Sequence, residues 1–541
     1  MTLFVRVTLL GIPVLLLIVG AAMSLKMFPL YSGGGIFNSD PSYAYLFNGL
    51  LLLAQQVPHH IDHPGTPLQT LIALLVYLQW LYLKLFNSIH PDVVTAAMAE
   101  PERYLLLISR VLLVLNVSAL LFLGKRLYQS TGSIFLTLFC QSALLTYGVF
   151  GSKLLYPAPE ALVSCLSLCM LAVLSPLIFQ NTIDHKKQTK IALATGLIFG
   201  IGFAVKLTFL PLVGLFFLLQ TWRYRLVACI AALFGWLLGI FPIITKLPGL
   251  FNWAYNMMTH TGKYGAGTQG FFDHSQLVAN FVGLFKAFPF FYITIFVFSI
   301  YLLLFIAWFV VVRRPKTSAR PASSVVVGHT DAFKIIAILL IVCIAQTLMV
   351  LKHFGQHYMI PALPIAFIGS ALLLRLLFER KPQLQSGLKT VIAVGMAVLV
   401  VQANYTAVTT LRAERIQHNR SVVSLQKELA RHANPIVIGS YGCYLPQCGV
   451  LFGIEYAPAI DKKVGPFLAN FYGFNVWNNM LIIDGHGFYS LTVLQPLFET
   501  NRPIFLITQI DFPAFEVFKK ELILTAEDQK LYKITGLVGS Q

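Results

Sequence analysis

The sequence predicts a polytopic α-helical membrane protein that carries a small α/β domain at its carboxyl-terminal end. Of its 541 residues, 57% are hydrophobic and only 11% are charged, and the mean hydropathy is +0.74. Soluble domains carry about 25% charged residues, so a water-soluble core cannot absorb this composition. Several apolar runs approach or exceed the roughly 20 residues that a helix needs to cross a bilayer. Lipid must therefore be the solvent for most of the chain.

The formal net charge of +18 fits a membrane orientation better than a nucleic-acid site, because basic residues are gathered in short loops between apolar runs. Those loops contain almost no acidic residues, which is the positive-inside pattern of cytoplasmic loops. We therefore predict a cytoplasmic amino terminus, an external carboxyl-terminal domain and no nucleic-acid partner. The basic loops contain Lys125–Arg126, Lys186–Lys190, Arg223–Arg225, Arg313–Arg320 and Arg375–Lys389.

Residues 1–410 form the predicted membrane domain, with about eleven spans if each needs roughly 20 apolar residues. The first span shares features with a signal peptide, but its apolar run is long and it has no convincing cleavage site, so we interpret it as retained. The spans are predicted at roughly 7–29, 104–124, 133–152, 160–179, 190–205, 208–221, 226–245, 289–312, 332–351, 357–378 and 388–410.

The apolar segment 68–86 is long enough to span but does not fit this topology. If it crossed, every later basic loop would change sides, or the amino terminus would start outside. Trp80, Tyr82 and Lys84 suit a helix that lies at the outer interface or re-enters the membrane. We therefore predict an interfacial helix, and an ordinary span with a reversed amino terminus stays the alternative.

Residues 411–541 form the predicted external domain, because the apolar runs there become short and are interrupted by Gly, Pro and Asn. Five of the seven Cys lie in apolar runs, where packing is the expected role. The other two, Cys443 and Cys448, allow a disulfide if the domain lies outside the cytoplasm. The expected elements are helices at 421–433 and 512–522 and strands at 435–440, 479–484 and 503–508.

The first external loop concentrates side chains with chemical potential. Asp40 directly follows a span, in a Ser-Asp-Pro sequence that is typical of a helix start, with Pro41 at the first helical position. The helix dipole favours an ionised carboxylate there. A purely structural cap is the alternative role for Asp40. The same loop also contains His59, His60, Asp62 and His63.

Glu160 lies at the outer mouth of a later span, shortly after Lys153 and Tyr156. By the predicted topology, Asp40 and Glu160 face the same compartment at similar depth. Two carboxylates at a membrane mouth suit a general base and a partner that orients it. A single charged residue at a span end is common, so Glu160 alone indicates little.

Basic side chains also gather on the predicted outer side, against the positive-inside tendency. Lys206 interrupts the apolar stretch 202–212, which is unfavourable unless its ammonium faces a polar cavity or an anion. Lys352, His353 and His357 lie at one span end and suit a phosphate or pyrophosphate at headgroup level. Snorkelling to lipid phosphates is the alternative for each of them. The outer set also contains Arg103, Lys153 and Lys263.

In their order and sidedness, these features resemble the membrane-embedded type C (GT-C) glycosyltransferases. The resemblance is to the branch of protein O-mannosyltransferases and lipid A aminoarabinose transferase (glycosyltransferase family 39-like), and it covers roughly residues 1–400. The matching features are an acid before an aromatic-rich helix (Asp40, Tyr43, Tyr45), Asp62-His63-Pro64 before an apolar helix, Pro159-Glu160 at the start of a span, and the segment that contains Lys352, His353, Tyr358, Pro361 and Pro364.

Two departures from these relatives argue against transferring a particular substrate. Relatives often have two adjacent acids in the first loop, whereas Pro41 follows Asp40 in this chain. The Lys that follows the His-Pro-Pro of the O-mannosyltransferases is absent after His63.

The resemblance implies a glycosyltransferase that moves a sugar from a polyprenyl-phosphate-linked donor to an acceptor hydroxyl on the outer face, usually with inversion. The acceptor is left open between a glycan, a lipid and a protein, and the expected location is a bacterial inner membrane with a periplasmic domain. We predict Asp40 as the catalytic base, supported by Glu160 and Asp62. The predicted substrate-binding residues are Tyr43, His63, Lys153, Lys206, Lys352, His353, His357 and Tyr358.

No DxD-like metal motif stands out, so no metal or other cofactor is required, and a divalent cation is left open. The rival class is a lipid-linked sugar flippase or another polytopic transporter that cleaves no bond. It accounts equally well for the spans and for Lys206, but less well for the external domain and for acids gathered at one mouth. A membrane scaffold whose external domain binds a partner is the third interpretation.

Overall fold

Helices dominate the chain up to residue 429, and a sheet dominates the remainder. The computed structural model of the protein describes residues 3–27, 39–62, 65–86, 91–147, 156–180, 182–261, 265, 267–312, 329–440, 442–463, 467–475, 479–483, 488–500 and 502–538.

The α-helices are α1 (Leu3–Met27), α2 (Ala44–Leu53), α3 (Thr66–Phe86), α4 (Val93–Ala99), α5 (Pro101–Thr131), α6 (Ile134–Gln141), α7 (Pro159–Phe179), α8 (His185–Val205), α9 (Trp222–Ile240), α10 (Leu247–Thr259), α11 (His274–Ala287), α12 (Pro289–Val312), α13 (His329–Lys352), α14 (Leu363–Arg380), α15 (Gln385–Leu429), α16 (Pro446–Glu455) and α17 (Gln495–Phe498). The strands are β1 (Ile436–Ser440), β2 (Phe471–Asn475), β3 (Met480–Ile483), β4 (Phe488–Tyr489), β5 (Ile504–Thr508), β6 (Phe518–Ala526) and β7 (Gln529–Leu537).

Local sequence sets several of the helix ends that position functional groups. Pro159 opens α7, where its missing N–H has no intrahelical partner to lose. Asp184 caps α8 by accepting a hydrogen bond from the backbone N–H of Lys187 at 2.7 Å. Helix α5 ends at Gly132, whose φ of 67° is a left-handed conformation that favours glycine.

The spans predicted from the sequence all overlap helices. Among the described residues, eight helices are long and apolar enough to cross a membrane, and shorter apolar helices lie at Val7–Gly20, Ile134–Leu144 and Leu207–Leu218. The eight lie at Thr66–Phe86, Pro101–Thr131, Pro159–Phe179, His185–Val205, Trp222–Thr259, Pro289–Val310, Thr330–Lys352 and Pro382–Leu429. The predicted polytopic helical architecture is therefore confirmed.

One predicted span differs from an α-helix in its geometry. Leu207–Leu218 is a 3₁₀ helix of 12 residues that contains Pro211. A 3₁₀ helix rises about 2.0 Å per residue, so this segment covers about 24 Å, compared with about 18 Å for an α-helix of equal length. The segment that follows Lys206 therefore covers more distance than an α-helix with the same number of residues.

Helix α3 corresponds to the segment that fitted the predicted topology poorly, and both of its ends lie near the C-terminal domain. At its start, Gly65 packs against the ring of Tyr45, which lies in the same aromatic cluster as Tyr456. After its end, Asp92 accepts a hydrogen bond from Lys463 Nζ at 2.9 Å. These contacts connect the segments flanking α3 to the C-terminal domain. Since α3 is also long and apolar enough to cross a membrane, the interfacial interpretation stays a prediction.

The C-terminal domain contains a seven-stranded sheet with the order β4-β3-β2-β1-β5-β7-β6. The central strand β1 pairs in parallel with β2 and β5, and the outer strand pairs are antiparallel. Every residue of β1 and β5 is buried, as expected for strands that are covered on both faces. The strands predicted at 435–440, 479–484 and 503–508, and the helix predicted at 421–433, are confirmed.

The helix predicted at 512–522 is wrong. Pro513–Val517 forms a short 3₁₀ helix, and β6 begins directly after it and pairs with β7 along its whole length. This pairing decides the structure of the segment, because strand preference depends on the neighbouring strand more than on the local sequence.

The disulfide that the sequence allowed is present in the C-terminal domain. Cys443 and Cys448 are bonded, with their Cα atoms 6.0 Å apart. Cys448 lies in the first turn of α16, so the disulfide fixes the start of this helix to the turn that follows β1.

Candidate active site

Side chains that the sequence predicted as functional converge at one end of the helix bundle, because several helices begin or end there. Glu160 lies in the first turn of α7, and Lys206 directly follows α8. His357 and Tyr358 lie in the 3₁₀ helix Gln356–Met359, between α13 and α14. The structure therefore brings together four residues that the sequence predicted as parts of one site.

A buried ion pair forms the centre of this group. Lys206 Nζ donates to Glu160 Oε1 at 2.5 Å, and only 6% and 7% of the two side chains are exposed. His357 Nε2 lies 3.6 Å from the same carboxylate oxygen, and Lys206 Nζ lies 4.6 Å from the centre of the Tyr358 ring. We name Glu160, Lys206, His357 and Tyr358 the Glu160 cluster.

The Glu160 cluster explains how Lys206 is tolerated in an apolar stretch. A buried ammonium is strongly unfavourable unless an opposite charge and hydrogen bonds compensate it. The backbone of Lys206 is extended, with φ −160° and ψ 134°, between α8 and the following 3₁₀ helix. Gln346 braces this region by donating to the carbonyls of Thr208 at 3.2 Å and Tyr358 at 2.7 Å.

The first loop is fixed beside this cluster by the fully buried Asn48. Its Oδ1 accepts hydrogen bonds from the backbone N–H groups of His59 and His60, at 2.7 and 2.9 Å. Its Nδ2 donates to the carbonyls of Ala44 at 2.7 Å and Tyr456 at 3.0 Å. Asn48 therefore joins α2, the segment before Asp62 and the C-terminal domain in one network.

The imidazole of His60 lies between two tyrosine rings. The ring centres of Tyr45 and Tyr456 are 5.2 and 4.9 Å away, and both contacts are edge-on. Burial, followed by the positive charge of Lys206, lowers the pKa of His60 to about 4. His60 is therefore neutral near pH 7, and its proximity to Lys206 places the first loop next to the Glu160 cluster.

Asp62 lies two residues beyond this imidazole and is half-buried. Burial raises the pKa of its carboxyl group above the usual value of 3.8. No ion pair joins Asp62 to another residue in the described ranges of the chain. A raised pKa changes a carboxylate in the direction that favours a general base.

The backbone of Asp40 belongs to a short π-helical turn, Ser39–Tyr43, that leads into α2. The helical turn thus begins two residues before Pro41, which was expected at its first position. Tyr43 is 1% exposed, and its hydroxyl donates to Glu102 Oε1 at 2.6 Å. These contacts make Tyr43 an anchor of the turn; the substrate-binding role predicted for it stays a prediction. The side chain of Asp40, and all of His63, Lys153 and Lys263, lie outside the part that the structure describes.

Lys352 and His353 make contacts away from Glu160. Lys352 Nζ donates to the carbonyl of Phe271 at 2.8 Å and lies 4.3 Å from the centre of that ring. His353 Nε2 lies 2.8 Å from the carbonyl oxygen of Met257. Both residues therefore fix the end of α13 to the segment around 257–271, and the phosphate-binding role predicted for them stays a prediction.

Sequence reasoning missed several buried polar residues around this site. Glu102 binds Tyr43, and the buried Arg415 donates to the hydroxyl of Tyr156, four residues before Glu160. Asn48 interrupts the apolar run of α2, and such an interruption is the signal that identified Lys206. Among the described residues, no group of three or more His, Cys, Asp or Glu is placed to hold a metal ion.

No protein-family model and no curated protein sequence matches the chain. Among solved structures, ArnT from Cupriavidus metallidurans bound to undecaprenyl phosphate matches 97% of this chain and 98% of its own, with 10% identity and a TM-score of 0.51. This chain has the GT-C fold. Apo ArnT gives 11% identity and a TM-score of 0.49 over 97% and 99% of the two chains. The archaeal oligosaccharyltransferase AglB from Archaeoglobus fulgidus, in complex with an inhibitory peptide and a dolichol-phosphate, has 12% identity and a TM-score of 0.40. The match covers 97% of this chain and 74% of the AglB chain.

The site can now be located within the GT-C fold. The first loop, the start of α7, the end of α8 and the end of α13 occupy one end of this fold, and the C-terminal domain covers the first loop. The Glu160 cluster thus lies where the GT-C helix bundle and the C-terminal domain meet.

Proposed function

We propose that this chain is a glycosyltransferase that moves a sugar from a polyprenyl-phosphate-linked donor to an acceptor hydroxyl. The observation that carries the proposal is the buried Glu160–Lys206 pair, with His357 beside it, next to the acid-bearing first loop. The GT-C fold supports the proposal, since the similar ArnT structure holds undecaprenyl phosphate, which is a polyprenyl phosphate.

The cations of the Glu160 cluster suit the leaving group of this reaction. A lysine ammonium has three N–H donors, and Glu160 Oε1 occupies one donor of Lys206. Another donor is then available for a phosphate oxygen, and charge-assisted hydrogen bonds of this kind are among the strong ones. Glu160 holds the ammonium in place, so that the positive charge needs no reorganisation as the phosphate departs.

The reaction requires one proton transfer and one displacement. The Asp40 carboxylate accepts the proton of the acceptor hydroxyl while that oxygen attacks the anomeric carbon. The bond between the anomeric carbon and the phosphate oxygen breaks, and polyprenyl phosphate leaves with the electron pair. Attack on the face opposite the leaving group inverts the anomeric configuration. Asp62, with its raised pKa, is the second candidate for the base.

Labelled donor lipid tests the function directly. Purified protein in lipid nanodiscs should release polyprenyl phosphate from a polyprenyl-phosphate sugar when an acceptor hydroxyl is supplied, and the product should have the inverted configuration. In vesicles, passage of the intact lipid between leaflets without bond cleavage would instead identify a flippase and overturn the proposal.

Carboxylate variants test the assignment of the base. Asp40→Asn should bind donor lipid but lose turnover by roughly a hundredfold, because general-base catalysis typically contributes factors of 10²–10⁴. Asp184→Asn is the matched control, since Asp184 caps the other end of the helix that leads to Lys206 and Asn keeps the capping ability. Near-normal turnover of a folded Asp40→Asn protein rejects the assignment and makes Asp62 the next residue to test.

The orientation in the membrane is also proposed. The basic loops favour a cytoplasmic amino terminus and an external C-terminal domain. A cysteine introduced at the exposed Tyr489 should react with a membrane-impermeant maleimide in intact cells. Reaction only after permeabilisation would place the domain, and the Glu160 cluster with it, on the cytoplasmic side.

A further inference from the structure

Helix α16 of the C-terminal domain packs directly on the turn that carries Asp40. A Cβ atom added at Gly449 would lie 2.6 to 2.9 Å from three atoms at the far end of the Tyr43 ring. One turn further along, a Cβ at Gly453 would lie 2.6 Å from the ring of Phe47. Residues four apart share a helix face, so two glycines let the α16 backbone contact these rings closely.

The residue that follows α16 holds the other acid-bearing segment. The carbonyl of Tyr456 accepts a hydrogen bond from Asn48, and the Tyr456 ring contacts His60 edge-on. Asn48 Oδ1 in turn accepts hydrogen bonds from the backbone N–H groups of His59 and His60, which lie three and two residues before Asp62. One short helix and its C-cap therefore contact both segments of the first loop in which the sequence places an acid.

Helix α16 is itself held firmly in its domain. The Cys443–Cys448 disulfide fixes its first turn, and the sulfur of Cys448 packs against the backbone of Gly439 in the central strand. The sheet is thereby connected through α16 to the first loop.

We propose that α16 is a positioning element for the transfer reaction, with Gly449 acting through Tyr43 and Tyr456 acting through Asn48. This inference rests on the proposed function. The ring of Tyr43 is fixed on one side by Gly449 and at its hydroxyl by Glu102, and it lies three residues from Asp40. The C-terminal domain then contributes to catalysis by positioning the segments that contain the acidic residues.

The geometry predicts what a single added methyl group does. Gly449→Ala places Cβ closer than 3.0 Å to the Tyr43 ring, so either this ring or α16 must shift, and we expect the hydrogen bond from Tyr43 to Glu102 to lengthen or break. A displacement of about 1 Å near a reacting group can lower a rate by roughly a hundredfold. Gly449→Ala should therefore lower kcat by about tenfold to a hundredfold, with the KM for donor lipid changed by less than about threefold.

A double-mutant cycle tests whether Gly449 acts through Tyr43. Tyr43→Leu removes the ring that the new methyl group would strike. If the effect passes through Tyr43, Gly449→Ala has little further effect on kcat in the Tyr43→Leu background. The control is Gly536→Ala in the same domain, where the nearest atom to the added Cβ is 3.6 Å away; it should have normal turnover.

Hydrogen–deuterium exchange supplies a readout that needs no turnover. Gly449→Ala should speed amide exchange at 42–48, and Gly536→Ala should not. An equal loss of kcat from Gly449→Ala in both backgrounds, or full activity with unchanged exchange, overturns the positioning role. If the wild-type protein transfers no sugar while the exchange result holds, the proposed function fails and the contact of α16 with the loop stands.

Discussion

The Glu160–Lys206 pair makes a quantitative prediction about what happens when one charge is removed. Glu160→Gln leaves the ammonium of Lys206 with 6% of its side chain exposed and without its counter-charge. Removing one partner of a buried ion pair typically destabilises a protein by about 3–5 kcal/mol. We therefore expect Glu160→Gln to lower the free energy of unfolding by about 3–5 kcal/mol.

Replacing both partners separates stability from chemistry. Two apolar residues of similar volume leave no uncompensated charge, so Glu160→Leu with Lys206→Met should recover most of the lost stability. Turnover should stay lost, because the double variant lacks Lys206, the proposed hydrogen-bond donor to the departing phosphate. Recovery of turnover with stability would show that the pair has only a structural role.

Thermal unfolding in detergent, followed by denaturant titration, measures the stability change, and release of polyprenyl phosphate measures turnover. The matched control is Glu379→Gln, which breaks a more exposed pair: Arg375 Nε lies 3.0 Å from Glu379 Oε1, with 16% and 35% of the side chains exposed. Exposed pairs contribute about 0–1 kcal/mol, so this control should change little. Equal losses from Glu160→Gln and Glu379→Gln would refute the reasoning.

Two further predictions concern pH and redox state. The pKa of His60 falls from 6.5 to about 4 on folding, so the stability that its neutral form contributes is full above pH 6.5 and is lost as the pH falls towards 4. His60→Gln should flatten the decline of Tm over this interval, and an unchanged decline would assign it to other groups. Alkylation without reductant should leave Cys443 and Cys448 unmodified, whereas reduction should add two labels and speed exchange in α16; labelling before reduction would show free thiols.

The membrane part of the fold was predictable because its signals are local. Apolar length and the placement of basic residues predict spans and their order, and every predicted span overlaps a helix. The wrong helix at 512–522 shows the limit of local pattern. Phe518–Ala526 forms a strand because β7 is available to pair with it, and the sequence of the segment does not contain that information.

Four residues that the sequence predicted as parts of one site lie together in the structure, but their individual contacts were not predictable. Lys206 was identified because an ammonium in an apolar run needs compensation, and Glu160 because a carboxylate opens a span. That these two residues compensate each other depends on the packing of α7 against α8 across 46 residues of chain. Tyr43 is separated from its contacts Glu102 and Gly449 by still more residues of sequence, and no spacing rule predicts these contacts.

Helix α15 connects the membrane part to the sheet without interruption over 45 residues, from Gln385 to Leu429. At 1.5 Å per residue it is about 68 Å long, and a bilayer core is only about 30 Å thick. The excess of roughly 38 Å acts as a lever arm, so a tilt of about 10° inside the membrane displaces its far end by about 7 Å. Helices accommodate a mismatch with bilayer thickness partly by tilting, so a change in bilayer thickness can be transmitted along α15 to the sheet.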